Sequence, residues 1–189
     1  MKGFFWHCRR GVTAVEFALT TPMIFVAMVG LFEIAMILSA SVLMEGGVRE
    51  AARFGITGSV PAGTSREQMI RQIVADNTMG LIDMANLQVT TLVYKSFDQI
   101  GQPEPFTDTN ANGQFDDGEP FTDVNGNGQW DADMGAAGAG GPGDVVVYTL
   151  TYNWPLMTPL LNDLIGHAGT IPLRASIAVR NEPYPTGGG

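Results

Sequence analysis

Apolar positions run almost without interruption from Phe17 to Met44, 28 residues broken by a single charge at Glu33. As helix this run measures about 42 Å, against a hydrocarbon core of about 30 Å. It is too long for the apolar region of an ordinary secretory signal, and no small-residue cleavage site follows it. The pattern then becomes amphipathic across Glu45-Gly-Gly-Val-Arg-Glu-Ala-Ala-Arg-Phe-Gly55, with Glu45 and Arg49 four apart and Val48, Ala51 and Ala52 on one side. Helix is therefore expected to about Phe54, with Gly46-Gly47 as a weak point and Gly55, Gly58, Pro61 and Gly63 as the stop. Pro22 should kink the run, with Thr20 and Thr21 near the carbonyls it frees.

Downstream the periods change. Thr64 or Ser65 can cap a helix over residues 66–75, and Ser65 with Gln68 has capping-box spacing. Met69, Ile70, Ile73 and Val74 give that helix an apolar face. Gln88 to Phe97 alternates as a strand, and Asp144–Tyr152 and Ile171–Arg180 read as two more. Between the last two, Trp154 to Leu161 reads as a turn and a short apolar helix. The expected fold is α+β: a long N-terminal transmembrane helix, then a small head of one helix and a three-stranded, antiparallel sheet.

Charge adds direction. The 189-residue chain carries a formal net charge of -9. Lys2, Arg9 and Arg10 make its start basic, whereas Glu104 to Asp144 holds nine acids and neither Lys nor Arg. Basic residues ahead of an apolar run place the N-terminus in the cytoplasm and the remainder outside. An acidic exported portion repels phosphate backbones, which argues against a nucleic-acid partner. Cys8 is the one cysteine, so no intrachain disulfide can form.

Arg9-Arg10-Gly11-Val12-Thr13-Ala14-Val15-Glu16-Phe17 joins the basic start to the apolar run. A carboxylate at the head of a membrane segment is costly and asks for a reason. The stretch resembles the processing site of type IV-like prepilins, and most closely that of TadE-like proteins of the tight-adherence (Flp) pilus system, where an aromatic residue follows the glutamate. The Ala-Arg-rich stretch after the anchor, the Tyr152 and Pro155-Leu156 junction and the closing strand are similar to that family too. The resemblance implies a pseudopilin or minor pilin of the bacterial inner membrane, cut by a prepilin peptidase after Gly11. It also implies that Glu16 pairs with the new amine of a neighbouring pilin or pseudopilin subunit. Read physically, cleavage before Val12 would leave a positive amine in an apolar bundle, with Glu16 the nearest compensating charge. Glu33 lies 17 residues beyond Glu16, about 25 Å along a helix, and snorkelling to the outer interface accounts for it as well as function does.

The second informative feature is a repeat. Glu104-Pro-Phe-Thr-Asp108 recurs as Glu119-Pro-Phe-Thr-Asp123, and each copy opens an oxygen-rich loop. Asp108, Asn110, Asn112, Asp116 and Glu119 occupy positions 1, 3, 5, 9 and 12 of an EF-hand-type loop, with Gly113 at 6 and Gln114 lending its carbonyl at 7. The second copy keeps Asp123, Asn125, Asn127, Gly128, Gln129 and Asp131, but Met134 at position 12 cannot ligate. Either Asp133 or a carboxylate borrowed from the first loop would close it. Both loops are expected to take Ca²⁺, and Phe115 at position 8 should dock apolar surface beneath its loop. Pro105 and Pro120 leave no room for flanking helices, so the pair resembles the loop-only calcium repeats of dockerin and thrombospondin type 3 modules.

The expected organisation is a leader at 1–11, the assembly helix at 12–57, helix and first strand of the head at 58–100, the acidic insertion and Gly-rich linker at 101–143, the last strands at 144–183 and a tail at 184–189. Catalysis finds no support. His7 and His167 are isolated on opposite sides of the membrane, no nucleophile elbow or zinc spacing occurs, and Gly135–Gly143 lacks the Gly-Lys-Ser/Thr ending of a phosphate loop. A rival reading remains: a signal-anchored calcium-dependent binding module unrelated to pili, which shares every feature except cleavage and the need for Glu16.

Overall fold

A computed structural model describes residues 10–56, 65–158 and 169–183. Helix α1 (Arg10–Ile56) and helix α2 (Arg66–Thr78) precede strand β1 (Gln88–Tyr94), the two-residue strand β2 (Ala136–Ala137), β3 (Val145–Pro155) and β4 (Thr170–Arg180). Residues 1–9 of the leader, Gly58, Pro61, Gly63, Thr64, residues 159–161 and the tail lie outside the described residues; Trp154 and Pro155, expected in a turn and short helix, belong to β3. Two compact units form: residues 1–39 with 154–171, and residues 40–153 with 172–189.

In the first unit α1 carries an apolar surface that none of the described residues covers. Phe17, Leu19, Met23, Phe25, Leu31 and Phe32 are all exposed. The helix runs unbroken through Pro22. Thr20 and Thr21 turn their hydroxyls back to the carbonyls of Glu16 (2.9 Å) and Phe17 (2.6 Å), not to that of Ala18, the one proline deprives of its usual partner. Among the described residues, α1 is the helix long and apolar enough to cross a membrane, with a mean hydropathy of 2.3 in its best window. That agrees with a single-pass anchor.

In the second unit the C-terminal half of α1 changes character. Ala40, Met44, Val48, Ala51 and Ala52 are buried at three- and four-residue steps, one stripe of a helix facing a core. The helix ends at Ile56, close to the expected stop, while Gly47, expected as a weak point, and Gly55 are also close-approach points. A Cβ on Gly47 would lie 3.3 Å from Val74 of α2, and one on Gly55 would lie 2.1 Å from the Tyr148 hydroxyl of β3. α2 begins with the expected capping box: Gln68 N donates to Ser65 Oγ (3.1 Å) and Ser65 N to Gln68 Oε1 (3.0 Å). It ends at Met79, in the left-handed conformation with φ 51°.

The sheet has the order β2-β1-β3-β4 and is antiparallel, with Leu92 opposite Val147 in the β1–β3 ladder. The fourth strand comes from the stretch read as a Gly-rich linker. Its alanines pair with Leu92 and Val93 of β1, too short a run to leave a period in the sequence. The glycines around it meet defined partners as well: Asn181 Nδ2 donates to the carbonyls of Ala139 (3.2 Å) and Gly141 (3.0 Å). β1 ends at Tyr94, short of the expected Phe97, where the chain bends toward a 3₁₀ turn at Phe97–Gln99.

Candidate functional site

Two places concentrate polar chemistry: the duplicated loops of the second unit and the carboxylates of α1.

The repeat folds as two loops related by an approximate twofold. Phe106 and Phe121 form an antiparallel bridge, closed by Thr107 N to Pro120 O and Thr122 N to Pro105 O, each 2.8 Å. This bridge stands where an EF-hand would place helices. Beneath it Phe115 stacks on Trp130 at 4.6 Å and 11°, while Phe106 and Phe121 meet Phe115 edge-on at 5.8 Å. These aromatic pairs give the loops a small apolar floor of their own.

Inside each loop the hydrogen bonds correspond atom for atom. Asp108 accepts from Asn112 N (3.2 Å) and Gly113 N (2.8 Å); Asp123 accepts from Asn127 N (3.2 Å) and Gly128 N (2.8 Å). Asn110 and Asn112 both donate their amides to Asp116 Oδ2 at 2.7 Å; Asn125 and Asn127 do the same to Asp131 Oδ2. The main-chain N–H groups of Gln114 and Gln129 donate to Asn112 Oδ1 and Asn127 Oδ1 (2.7 Å each), which fixes the turn at position 7. Gly113 and Gly128 have φ of 78° and 79°, the sharp left-handed step that position 6 requires. The Gly113 main-chain N–H holds the Asp108 carboxyl below its ordinary range.

The closing carboxylates are exchanged. Glu119 accepts from Thr109 N (2.7 Å), Thr109 Oγ1 (2.9 Å) and Asp116 N (3.1 Å), so it seals the first loop. The Thr109 N–H is the main cause that lowers its pKa. Glu104, ahead of the first loop in sequence, crosses over to the second. Wholly buried, it accepts from Val124 N (2.7 Å), Asn125 N (3.2 Å) and Asp131 N (3.1 Å). The carboxylate hydrogen-bonded to the second loop is thus neither Asp133 nor one from within the first loop, but Glu104 ahead of it. Asp133 turns away, accepting from the Tyr94 hydroxyl (2.8 Å) and Gly135 N (3.1 Å). Burial, reinforced by Asp133, pushes the Tyr94 phenol up to about 12. Met134 enters the core with Tyr94 and Val145. The signal lay in the repeat itself, where Glu104 corresponds to Glu119, position 12 of the first loop; what sequence reasoning missed was that Glu104 serves the second.

Among the described residues no cluster of three or more His, Cys, Asp or Glu side chains forms. Each loop instead brings its carboxylates together with Asn side-chain amides.

On α1, Val12, Glu16 and Phe17 are all exposed and Gly11 lies in the first turn. Glu33 behaves otherwise. It is 1 % exposed and accepts from Met157 N, Thr158 N and the Thr158 hydroxyl. Snorkelling to an interface is thus not its arrangement; a turn of the same unit covers it. His7 and Cys8 lie outside the described residues, as does His167.

No curated protein and no solved structure matches the chain. A family model described as TadE-like protein matches residues 11–53, beginning at the glycine of the expected processing site and ending within the amphipathic part of α1. The head is not matched, so the resemblance expected there finds no counterpart. Over residues 11–53, which hold the apolar helix and both of its early glutamates, the chain is similar to TadE-like proteins.

Proposed function

We propose that this chain is a membrane-anchored pseudopilin or minor pilin that takes part in assembling a tight-adherence pilus, and that a prepilin peptidase cuts it after Gly11. The family match over residues 11–53 carries the reading. The exposed apolar surface of α1 supports it, because such a surface needs lipid or other helices around it. Cleavage would leave the Val12 amine one helical turn from Glu16. The Glu16 carboxylate is exposed on α1, open to an amine from a neighbouring subunit. In hydrocarbon such a pair is favourable because each partner alone would be an uncompensated charge. The peptidase, the neighbouring subunits and the inner-membrane location belong to this proposal.

The same reading gives the duplicated loops to Ca²⁺. Asp108, Asn110, Asn112, Asp116 and Glu119 supply the first site with Gln114 O; Asp123, Asn125, Asn127, Asp131 and Gln129 O supply the second. The donor set fits the ion: hard oxygen ligands only, at the spacing a calcium loop uses, with a left-handed glycine at position 6. Asp116 and Asp131 each draw two side-chain amide N–H groups onto one oxygen, which supports a place for positive charge in each loop. Calcium would stiffen the loops of the exported head.

Intact mass and N-terminal sequence of the protein from its native membrane test the first proposal. A chain beginning at Val12 is expected; one that retains Met1 in cells with active peptidase would overturn it and leave a tethered calcium-binding module. Trp130 fluorescence tests the second, since the indole stacks between the two loops. A saturable change on adding calcium is expected, and a flat trace through several millimolar, a range typical of extracellular modules, would end the calcium reading.

A further inference from the structure

Resting on the reading of α1 as a membrane anchor, we propose that the turn at Leu156–Thr158, where the chain leaves β3, dips into the outer leaflet, docked on the anchor through Glu33, with Met157 facing lipid. Three observations converge on it.

The first is grouping. Residues 154–171 form one compact unit with residues 1–39, although most of the two strands that they join belongs to the other unit.

The second is depth. Glu33 lies about 25 Å along the helix from Glu16. With Glu16 at the cytoplasmic boundary of a core about 30 Å thick, Glu33 sits some 5 Å inside the outer boundary. Its helix neighbours Leu31 and Phe32 are exposed, as lipid-facing residues are. Glu33 is the one residue from Val12 to Ser39 classed as buried, and the turn at Met157 and Thr158 is what buries it.

The third is the main-chain ledger. Irregular backbone survives at membrane depth only where each N–H is satisfied inside the protein. Pro155 has none. Leu156 N donates to Gly169 O at 2.9 Å. Met157 N and Thr158 N both donate to the Glu33 carboxylate, and the next residue, Pro159, has none again. No N–H from Pro155 to Pro159 is left for water. A turn in aqueous surroundings would need no buried carboxylate to hold it, and a carboxylate in hydrocarbon would need donors such as these. Each solves the other's problem. Met157, 61 % exposed beside them, is then the side chain that meets acyl chains.

Site-directed spin labelling of the full chain in lipid nanodiscs tests this, with Cys8→Ser as background and Met157→Cys as the labelled site. Phe25→Cys serves as the anchor reference and Val124→Cys as the aqueous one. Expected at residue 157 is a nitroxide that collides with oxygen in preference to a water-soluble nickel chelate, as at residue 25. Adding Glu33→Leu should shift residue 157 several-fold toward the behaviour of residue 124, and Glu33→Gln, which keeps one acceptor oxygen, should shift it less. Water-like behaviour at residue 157 with lipid-like behaviour at residue 25 would overturn the proposal. A lipid-like residue 157 that ignores Glu33→Leu would overturn the docking role. Water-like behaviour at residue 25 would instead refute the anchor itself.

Discussion

Replacing Glu104 by alanine should damage the loop that lies farther away in sequence. Its carboxylate takes three main-chain N–H groups of the second loop, from Val124, Asn125 and Asp131, at 2.7 to 3.2 Å. A hydrogen bond to a charged group contributes about 1.5–3 kcal/mol. Val124 is exposed and Asn125 and Asp131 are half-buried, so water can reclaim part of what is lost. Counting each bond at about 1 kcal/mol after that rehydration gives a local loss of about 3 kcal/mol. At about 1.4 kcal/mol per decade this is roughly a hundredfold fall in hydrogen-exchange protection. The measurement is amide exchange by NMR on the full chain in micelles, residue by residue. Val124, Asn125 and Asp131 should exchange faster in Glu104→Ala, while Thr109 and Asp116, which rely on Glu119, should hold. Unchanged exchange at residues 124, 125 and 131 would refute the reasoning. So would selective loss at residues 109 and 116, because Glu104 would then serve the loop beside it.

Three further outcomes are expected. Gly55→Ala brings a methyl to within 2.1 Å of the buried Tyr148 hydroxyl, an overpacking that should cost about 1–3 kcal/mol and lower the thermal midpoint; an unchanged midpoint would contradict the close approach. The Tyr94 phenol has a folded pKa raised from 10.0 to about 12, so the neutral form is the one the fold favours. Its contribution is fully present below pH 10 and is lost as pH rises toward 12, and Tyr94→Phe should flatten that alkaline decline in stability. Glu16→Ala should leave the protein in the membrane, read by fractionation, but abolish pilus assembly; filaments formed at the normal level would remove the proposed pairing with a neighbour's amine.

Much of this was legible in the sequence because the signals were periodic or matched a fixed spacing. The apolar run gave α1, the Ser65–Gln68 pair gave the start of α2, and the β-branched alternation gave the three longer strands. The loops were legible too, since a ligand pattern with glycine at position 6 says where the chain must turn. What escaped was determined by approach between distant segments. Gly47 and Gly55 look like helix breakers until Val74 and Tyr148 are found against them. Ala136–Ala137 has no period at all, and only the free edge of β1 makes it a strand. Glu33 looks like a stray charge until a turn more than a hundred residues later supplies its donors.

The exchange of Glu104 and Glu119 also bears on how the insertion can change over generations. Each loop is sealed by a glutamate that stands before the other member of the pair or between the two, so the fifteen-residue copy is not an independent part. Deleting the first copy would remove Glu104 and leave the second loop with Met134 at its end. Deleting the second would remove Glu119, which seals the first loop, together with the Phe121 that bridges Phe106 and the rings that cover it. Gain or loss should therefore go by twos, in steps of thirty residues, and a homologue carrying a single copy should have abandoned the loop fold altogether.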